Sequence, residues 1–229
     1  MAIGNFIFVM GIWVDKWVMW FSPQAIWLPE GVAIYPYYDS ATFIAYLTII
    51  PSLAMFMLSQ ETVFYEKYVR FYQHIAEHSN YTVIQKDQVA IQNCFISIAR
   101  NILILQIGVC FITMMLIPKL IPILEMNFTQ IGIFRYGLLG ASFQCFVLYM
   151  AVIMAYFEDR KGVLMTQILF CSTNFVFSII SMNMGFPYYG SGFFFAALVT
   201  FLFAACRVEM FMRNLPYHCF ITTNTSVKK

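Results

Sequence analysis

The sequence is poor in charged residues: 10% of its 229 residues are Asp, Glu, Lys or Arg, whereas soluble domains average about 25%. Hydrophobic residues make up 61% of the chain, and the mean hydropathy is +0.74. So little charge cannot cover a water-facing surface, which excludes an ordinary soluble domain. Thirteen Lys and Arg against eleven Asp and Glu give a formal net charge of +2. This small excess gives no indication of nucleic-acid binding.

The sequence also lacks the motifs of most metal centres and enzymes. Its six cysteines stand singly with no CxxC pair, so neither a disulfide framework nor a zinc cage is predicted. Walker A, HExxH and GxSxG motifs are absent. One H-x-x-E-H match, from His74 to His78, falls on the polar face of an amphipathic helix with no folded domain around it, so we do not favour a zinc hydrolase. We predict no catalytic residue, no cofactor and no metal site.

Long apolar runs, in contrast, are abundant. Six of them have the roughly 20 residues that a helix needs to cross a bilayer. They lie near residues 2–22, 41–59, 98–117, 138–157, 164–183 and 192–211. The runs are apolar on every side rather than alternating, which excludes transmembrane β-strands. The sequence predicts an all-α membrane protein with one transmembrane domain over residues 1–229.

Lys and Arg lie mostly on one side of the predicted spans. That side comprises segment 60–97, the loop at 158–162 and the tail after the last span. Its basic residues, counting the span ends, are Lys67, Arg70, Lys86, Arg100, Arg160, Lys161, Arg207, Arg213, Lys228 and Lys229. The other side has Lys119 and Arg135. The positive-inside rule places the basic side in the cytoplasm, together with both termini.

Segment 60–97 contains an amphipathic helix. Apolar residues recur at helical spacing from Phe64 to Ile75, and charged residues from Glu66 to Glu77 lie on the opposite face. This pattern is typical of a helix that lies along a membrane surface. We therefore expect it at the cytoplasmic interface.

Two ionisable residues, Asp15 and Lys16, interrupt the first apolar run. Charged side chains inside a span are costly and suggest a function. Neighbours on a helix point roughly 100° apart, so we expect that these two cannot both face one partner. The alternative is structural: Lys16 reaches outward to the membrane surface while a neighbouring helix neutralises Asp15. The sequence leaves both interpretations open.

Other spans contain a helix breaker and amide side chains. Pro51 should kink or break the second span, either as a hinge that lines a cavity or as an isolated proline. Gln106, Gln144 and Asn174 need hydrogen-bond partners that lipid does not supply. They either bond to other helices or line a polar path.

The weakly charged side is rich in Trp, Tyr, Pro and Gly. Aromatic rings there could stack on the apolar faces of sugars. The candidates are Trp27, Tyr37, Tyr38, Tyr188 and Tyr189. An aromatic belt at the membrane interface has the same sequence pattern, so this alternative stays open.

Several sequence blocks together resemble the carboxyl-terminal half of the PelG family of bacterial exopolysaccharide-export proteins. They are GIWVDKWVMWFSP, the region from YPYYDS to KYVRFY, GASFQ, AYFEDRK, YYGSGFFFAAL and LPYHCF, in order along nearly the whole chain. The resemblance implies a multi-pass protein of the bacterial inner membrane, of the polysaccharide-flippase type, in which two six-helix lobes enclose a central path. The partners it implies are the polysaccharide, a cytoplasmic glycosyltransferase and other membrane subunits of the export system.

The sequence resembles one of the two lobes. We therefore expect a fragment, a truncated reading frame or a half-size subunit, to be completed by a missing amino-terminal lobe or a second half-size chain. Because the polar residues are spread over four spans, we also expect some of them to face a cavity shared with that second unit. The chain alone would then be poorly stable.

Two functional hypotheses follow. In the first, the six helices form one lobe of an exopolysaccharide transporter, and polar side chains line its path. The candidates for the substrate path are Asp15, Lys16, Asp39, Glu61, Gln106, Gln144 and Asn174. In the second, the protein is a membrane scaffold that anchors the glycosyltransferase through segment 60–97 and conducts no polymer.

Overall fold

Helices make up 85% of the computed structural model. The structure describes residues 2–123, 127 and 130–215. Its α-helices are α1 (Ala2–Met19), α2 (Pro36–Leu47), α3 (Ile50–Ser59), α4 (Tyr65–Ala76), α5 (Tyr81–Ile123), α6 (Gln130–Tyr156), α7 (Arg160–Met184) and α8 (Ser191–Arg213). The shorter elements are an antiparallel hairpin of β1 (Ile26–Trp27) and β2 (Ala33–Ile34), a π-helix (Gln60–Phe64) and a 3₁₀-helix (Phe186–Tyr188).

The predicted class, an all-α membrane protein, is confirmed. Five helical stretches are long and apolar enough to cross a bilayer, and the 18-residue α1 is a further apolar helix. The five stretches are Pro36–Ala76, Tyr81–Lys119, Gln130–Tyr156, Arg160–Met184 and Phe186–Arg213. Each of the six predicted spans falls on helical structure, but α5 begins at Tyr81 and α6 at Gln130, well before the predicted starts at residues 98 and 138. That each of the six crosses the membrane stays a prediction.

The second predicted span is broken, as Pro51 indicates. α2 ends at Leu47 and α3 begins at Ile50, with Pro51 in its first turn. Proline has no N–H, so Pro51 cannot donate to the carbonyl oxygen of Leu47 as a continuous helix would require. The helical hydrogen-bond pattern is therefore interrupted between α2 and α3, a junction that we call the α2–α3 break.

Segment 60–97 differs from its prediction. It is not one surface helix: the π-helix and α4 continue α3, a turn follows at residues 77–80, and the rest belongs to α5. Phe64, the last residue of the π-helix, and Phe71 on α4 are fully buried, and the Tyr68 hydroxyl donates to the carbonyl oxygen of Tyr156 at 3.2 Å. The apolar face of α4 packs on the aromatic end of α6. That α4 lies at the cytoplasmic interface stays a prediction.

The long helices pack around α6, which contacts α2 and α8, while α1 lies against α7. One end of the bundle, which we call the basic end, holds the α4–α5 turn, the turn before α7 and the end of α8. Gln88 and Gln92 on α5 donate to the carbonyl oxygen of Met212 at 2.9 Å and join two of these elements. The opposite end holds the β-hairpin and the 3₁₀-helix. The structure thus gathers the described residues of the basic side at one end, while its cytoplasmic location stays a prediction.

Two small-xxx-small pairs in the sequence, beginning at Gly137 and Gly192, predict close helix packing. A Cβ atom on residue 137 would lie 3.1 Å from the Ala45 side chain on α2. A Cβ on residue 192 would lie 2.6 Å from the backbone of Phe177 on α7. The second contact is with backbone, which cannot rotate away, so a side chain at position 192 must separate α7 from α8.

We therefore expect Gly192→Ala to destabilise the folded protein by about 1–3 kcal/mol, the usual cost of overpacking. Gly108→Ala on α5 is the matched control, because a Cβ there meets no atom within 4 Å. This control should be neutral or stabilising by up to about 1 kcal/mol, since alanine is the better helix former. Unfolding of the purified variants in detergent measures both effects. Equal stability of the two variants would contradict the close α7–α8 contact.

Candidate functional site

A cluster of polar side chains joins α1 to α2. We call it the α1–α2 polar cluster; its members are Asp15, Lys16, Tyr38, Asp39 and Tyr46. Asp15 is 1% exposed and Lys16 is 8% exposed. The Tyr38 hydroxyl donates a hydrogen bond of 2.9 Å to Asp15 Oδ2. This bond ties the two helices together and gives the buried carboxylate a partner on a neighbouring helix.

Lys16 folds back along α1 instead of reaching the membrane surface. Its Nζ lies 3.9 Å from Asp15 Oδ1 and donates to the carbonyl oxygen of Ile12 at 3.2 Å. It also lies 5.4 Å from the ring centroids of Trp13 and Tyr46, within cation–π range. Asp15 and Lys16 have different partner residues, Tyr38 and Tyr46, but both of these partners lie on α2. The flexible lysine stem brings its ammonium group to the carboxylate, and both side chains contact residues of α2.

Asp39 lies in the first turn of α2 and is partly exposed. Its Oδ2 accepts a hydrogen bond of 3.0 Å from Trp20 Nε1. Its Oδ1 is buried and has no hydrogen-bond partner among the described residues, and the same holds for Asp15 Oδ1 and the Tyr46 hydroxyl. Three buried polar atoms of one cluster thus have hydrogen-bonding capacity that the described part of the chain does not fill.

Gln106 is the centre of a second polar group, in the middle of the bundle. Ser52 Oγ on α3 donates to Gln106 Oε1 at 2.6 Å, and Gln106 Nε2 donates to Ser142 Oγ on α6 at 3.0 Å. Cys110 Sγ lies 3.2 Å from the same Ser142 oxygen. The side chain of Gln106 therefore links α3, α5 and α6, which is the interhelical arrangement proposed as an alternative to a path.

Asn174 also bonds to a neighbouring helix. Its Nδ2 donates to the carbonyl oxygen of Gly11 on α1 at 2.9 Å, and its Oδ1 accepts from Ser178 at 3.2 Å. The side chain is fully buried. Asn174 therefore holds α7 against α1.

Gln144 is different, because neither polar atom of its side chain has a hydrogen-bond partner among the described residues although the residue is 3% exposed. On α6 it lies between Gly137, which faces Ala45, and Leu148, which lines a groove with Leu53. Ala45 and Leu53 flank the α2–α3 break. Gln144 is thus level with the break, and its amide is the least satisfied buried polar group on α6.

Glu61 lies in the π-helix and is exposed. It borders a groove of about 340 Å³ between α3 and α6, together with Gln60, Leu148 and Tyr156. π-Helical turns are rare and frequently occur at functional sites. The groove is closer to the basic end than the α1–α2 polar cluster is.

The predicted sugar-stacking residues divide into two groups. Trp27, Tyr37 and Tyr188 are 64%, 46% and 43% exposed. Tyr38 and Tyr189 are fully buried. Three of the five rings are therefore available for stacking in this structure, and two are part of the core.

A buried layer of tyrosines closes the same end of the bundle. The Tyr35 ring stacks on Tyr38 at a centroid distance of 6.1 Å and meets Tyr189 edge-on at 6.2 Å. Burial, with a smaller contribution from Tyr189, raises the pKa of Tyr35 to about 12. The layer therefore stays uncharged at neutral pH.

The structure also corrects the expectation about shielding. The five polar residues that were expected to need a shared cavity are each less than 9% exposed. They are Asp15, Lys16, Gln106, Gln144 and Asn174. The helices of one unit have enough interior to cover them, and Asp15, Gln106 and Asn174 bond to neighbouring helices, whereas Gln144 is covered without a partner among the described residues. These residues therefore give no reason for the chain to be unstable alone.

Two buried carboxylates at the basic end, Asp87 and Asp159, have partners that were not predicted. Asp87 is buried and lies 3.2 Å from Arg70 Nε and 2.5 Å from His74 Nδ1, which fastens α4 to α5. Arg207 forms two hydrogen bonds of 3.0 and 3.1 Å with Asp159, which also caps α7. His74 of the H-x-x-E-H match thus contacts Asp87, and no three His, Cys, Asp or Glu side chains of the described chain are placed to hold a metal ion.

The family model "PelG: Putative exopolysaccharide Exporter (EPS-E)" matches residues 1–220. The chain belongs to the PelG family. The match covers the sequence blocks that carry the resemblance and every candidate residue described above. The family is one of exporters rather than of enzymes, and the apolar helices agree with a multi-pass membrane protein. No curated protein and no solved structure is significantly similar to this PelG-family chain.

The contrast between Gln106 and Gln144 gives a test of their roles. Gln106→Leu should destabilise the protein by about 1–3 kcal/mol, because Ser52 and Ser142 lose their buried partner. Gln144→Leu should be neutral or stabilising, because it replaces an unsatisfied amide by an apolar side chain of similar size. Thermal unfolding in detergent compares the two. A loss of stability in Gln144→Leu as large as in Gln106→Leu would show that Gln144 has a structural partner.

Proposed function

We propose that this PelG-family protein forms one lobe of a transporter that moves an exopolysaccharide across the bacterial inner membrane. The observation that carries the proposal is the family match over residues 1–220. The stretches that are long and apolar enough to span a bilayer support it. By the positive-inside rule the basic end lies in the cytoplasm, and the polymer leaves at the opposite end.

The path candidates are mostly buried, so transport requires a rearrangement that exposes them to the polymer. The α2–α3 break is the position at which the backbone can pivot, since Pro51 cannot complete the helix across it. A movement of α2 would carry Asp39 and Tyr38 away from α1. It would also uncover the face of α6 that holds Gln144, whose free amide would then meet sugar hydroxyl groups.

Positions at the two ends fit a route for a sugar chain. Glu61 and its groove lie towards the basic end, where the polymer would enter. The exposed rings of Trp27, Tyr37 and Tyr188 lie at the opposite end, where their faces would stack on leaving sugars. Sequential weak contacts of this kind hold a polymer without trapping it.

A path for a polymer needs protein on all sides. We propose that the present unit forms one wall of the path and that a second six-helix unit forms the others. The second unit is an amino-terminal lobe or a second half-size chain, as the family resemblance implies. The polar groups of the present unit are covered by its own helices. The unit therefore folds by itself, whereas export needs both.

A scaffold for the cytoplasmic glycosyltransferase is the second candidate function, and the position of α4 favours it. The apolar face of α4 is fixed on α5 and α6, so its polar face projects from the basic end as a rigid surface. Glu66, Arg70, Gln73 and Glu77 on that face are exposed. Such a surface suits a soluble partner, whether or not the helices conduct polymer.

Asp15→Asn in the complete export system separates the two functions. If Asp15 belongs to the path, secreted polysaccharide should fall at least about tenfold, the effect of roughly 1.4 kcal/mol on a rate. The amount of membrane protein and the co-purified glycosyltransferase should stay unchanged, because α4 is untouched. Glu30→Gln, an exposed acid in the β-hairpin, is the matched control and should secrete normally.

A photo-crosslinking residue at Gln73 adds the second measurement. Unchanged secretion by Asp15→Asn at normal protein level would contradict a path role for Asp15. If the residue at position 73 then crosslinks to the glycosyltransferase, the scaffold function is supported over transport. Lipid adducts alone at Gln73 would count against the scaffold.

A further inference from the structure

The α1–α2 polar cluster is unbalanced in charge. It contains two carboxylates, Asp15 and Asp39, and one ammonium group, Lys16, while Trp20 and the tyrosines that contact it are neutral. Among the described residues, the one cationic group within 4.0 Å of either carboxylate is the Lys16 ammonium, which lies 3.9 Å from Asp15 Oδ1. One negative charge therefore has no counterpart. Asp39 is partly exposed, but its Oδ1 is buried, and a charge held partly out of water without a counterpart favours uptake of a proton.

The same cluster is short of hydrogen-bond donors. Asp15 Oδ2 accepts one hydrogen bond from Tyr38, and Asp39 Oδ2 accepts one from Trp20. Neither Oδ1 receives a donor from the described residues, and the Lys16 ammonium is too far from Asp15 Oδ1, at 3.9 Å, for a hydrogen bond. The missing charge and the missing donor thus occur at the same pair of groups.

A proton on one carboxylate corrects both deficits. It neutralises the excess charge and converts one acceptor oxygen into an O–H donor. A metal cation would correct the charge as well, but the Lys16 ammonium already lies beside Asp15 Oδ1 and would repel it. The unpaired Tyr46 hydroxyl, on the same side of α2 as Lys16, is available to receive or pass on the new hydrogen bond.

The two carboxylates also differ in their access to water. Asp39 is partly exposed in the first turn of α2, at the end of the bundle that holds the β-hairpin. Asp15 is more deeply buried. It accepts a hydrogen bond from Tyr38, which is the residue before Asp39 in the sequence. This arrangement gives a proton a way in from the water at that end and a buried acceptor to reach.

We propose that Asp15 and Asp39 together form a binding site for one exchangeable proton. A proton from water adds to a carboxylate oxygen and gives a neutral acid; on release it returns to water and leaves the carboxylate. With the proton bound, the cluster is neutral and can remain buried between α1 and α2. Without it, the excess charge favours opening towards water. The use of this step to drive polymer movement rests on the proposed export function, whereas the proton site does not.

The test uses the purified chain in lipid nanodiscs and infrared difference spectra between high and low pH. The wild type should show the C=O band of a protonated carboxylic acid that appears reversibly as pH falls but is already present well above about pH 4, where exposed Asp and Glu are still ionised. Asp15→Asn and Asp39→Asn should each lose the band, because either substitution leaves one carboxylate balanced by Lys16. Lys16→Met should keep or enlarge it, since the excess of negative charge grows. Glu30→Gln, the exposed control, should keep it.

These results do not depend on export, so a failure of the transport proposal leaves them standing. If Asp15→Asn does not fold, the result for Asp39→Asn decides whether the proton site exists. Asp39 is less buried than Asp15, so its substitution disturbs folding less. A band that persists in both Asn variants, or its absence in the wild type over the pH range in which the protein stays folded, would overturn the proton site. A spectral change that follows sodium concentration instead of pH would overturn it in favour of a cation.

Discussion

The interior of a bilayer offers no water to a polar group, and this constraint accounts for the main contacts between the helices. Tyr38 bonds to Asp15, Asn174 to the backbone of Gly11, and Gln106 to two serines. Each bond crosses from one helix to another, because a helix has already used its own backbone groups. Close packing supplies the remaining contacts, as where Gly192 on α8 meets the backbone of Phe177 on α7.

The same constraint makes unsatisfied polar atoms informative. In the described chain they include one oxygen each of Asp15 and Asp39, the Tyr46 hydroxyl and the amide of Gln144. All belong to α1, α2 or the face of α6 that meets the α2–α3 break. Ser22 Oγ and Gln167 Oε1 are the other such atoms of the described chain and lie elsewhere. For the groups on α1, α2 and α6, a rearrangement about the break, with a bound proton or a sugar, would supply the missing partners.

Much of the fold was predictable because apolar length and proline act locally. The six apolar runs predicted the helices, and Pro51 predicted the break, since a missing N–H affects the residues beside it. The packing of α4 was not predictable, because an apolar helix face has the same sequence pattern whether it contacts lipid or protein. The structure shows that Tyr68 on this face contacts Tyr156 and Phe157.

For the candidate site, the sequence identified the polar residues but not their partners. Asp15 and Lys16 were expected to diverge because helix geometry fixes the Cβ directions, yet the lysine stem is long enough to return. Asp159 and Arg207 are 48 residues apart, and no local pattern joins them. Tyr38 and Tyr189 resembled their exposed neighbours in type and position, and burial alone separates them.

The central claim is that buried polar bonds between helices, rather than apolar packing alone, hold this bundle together. A double-mutant cycle with Asp15→Ala and Tyr38→Phe, measured by reversible unfolding in bicelles, tests it most directly. The account predicts that the two effects are not additive, with a coupling free energy of at least about 0.6 kcal/mol, the average for such bonds in membrane proteins. Additive effects within about 0.3 kcal/mol would contradict it, because α1 and α2 would then be joined without help from this bond.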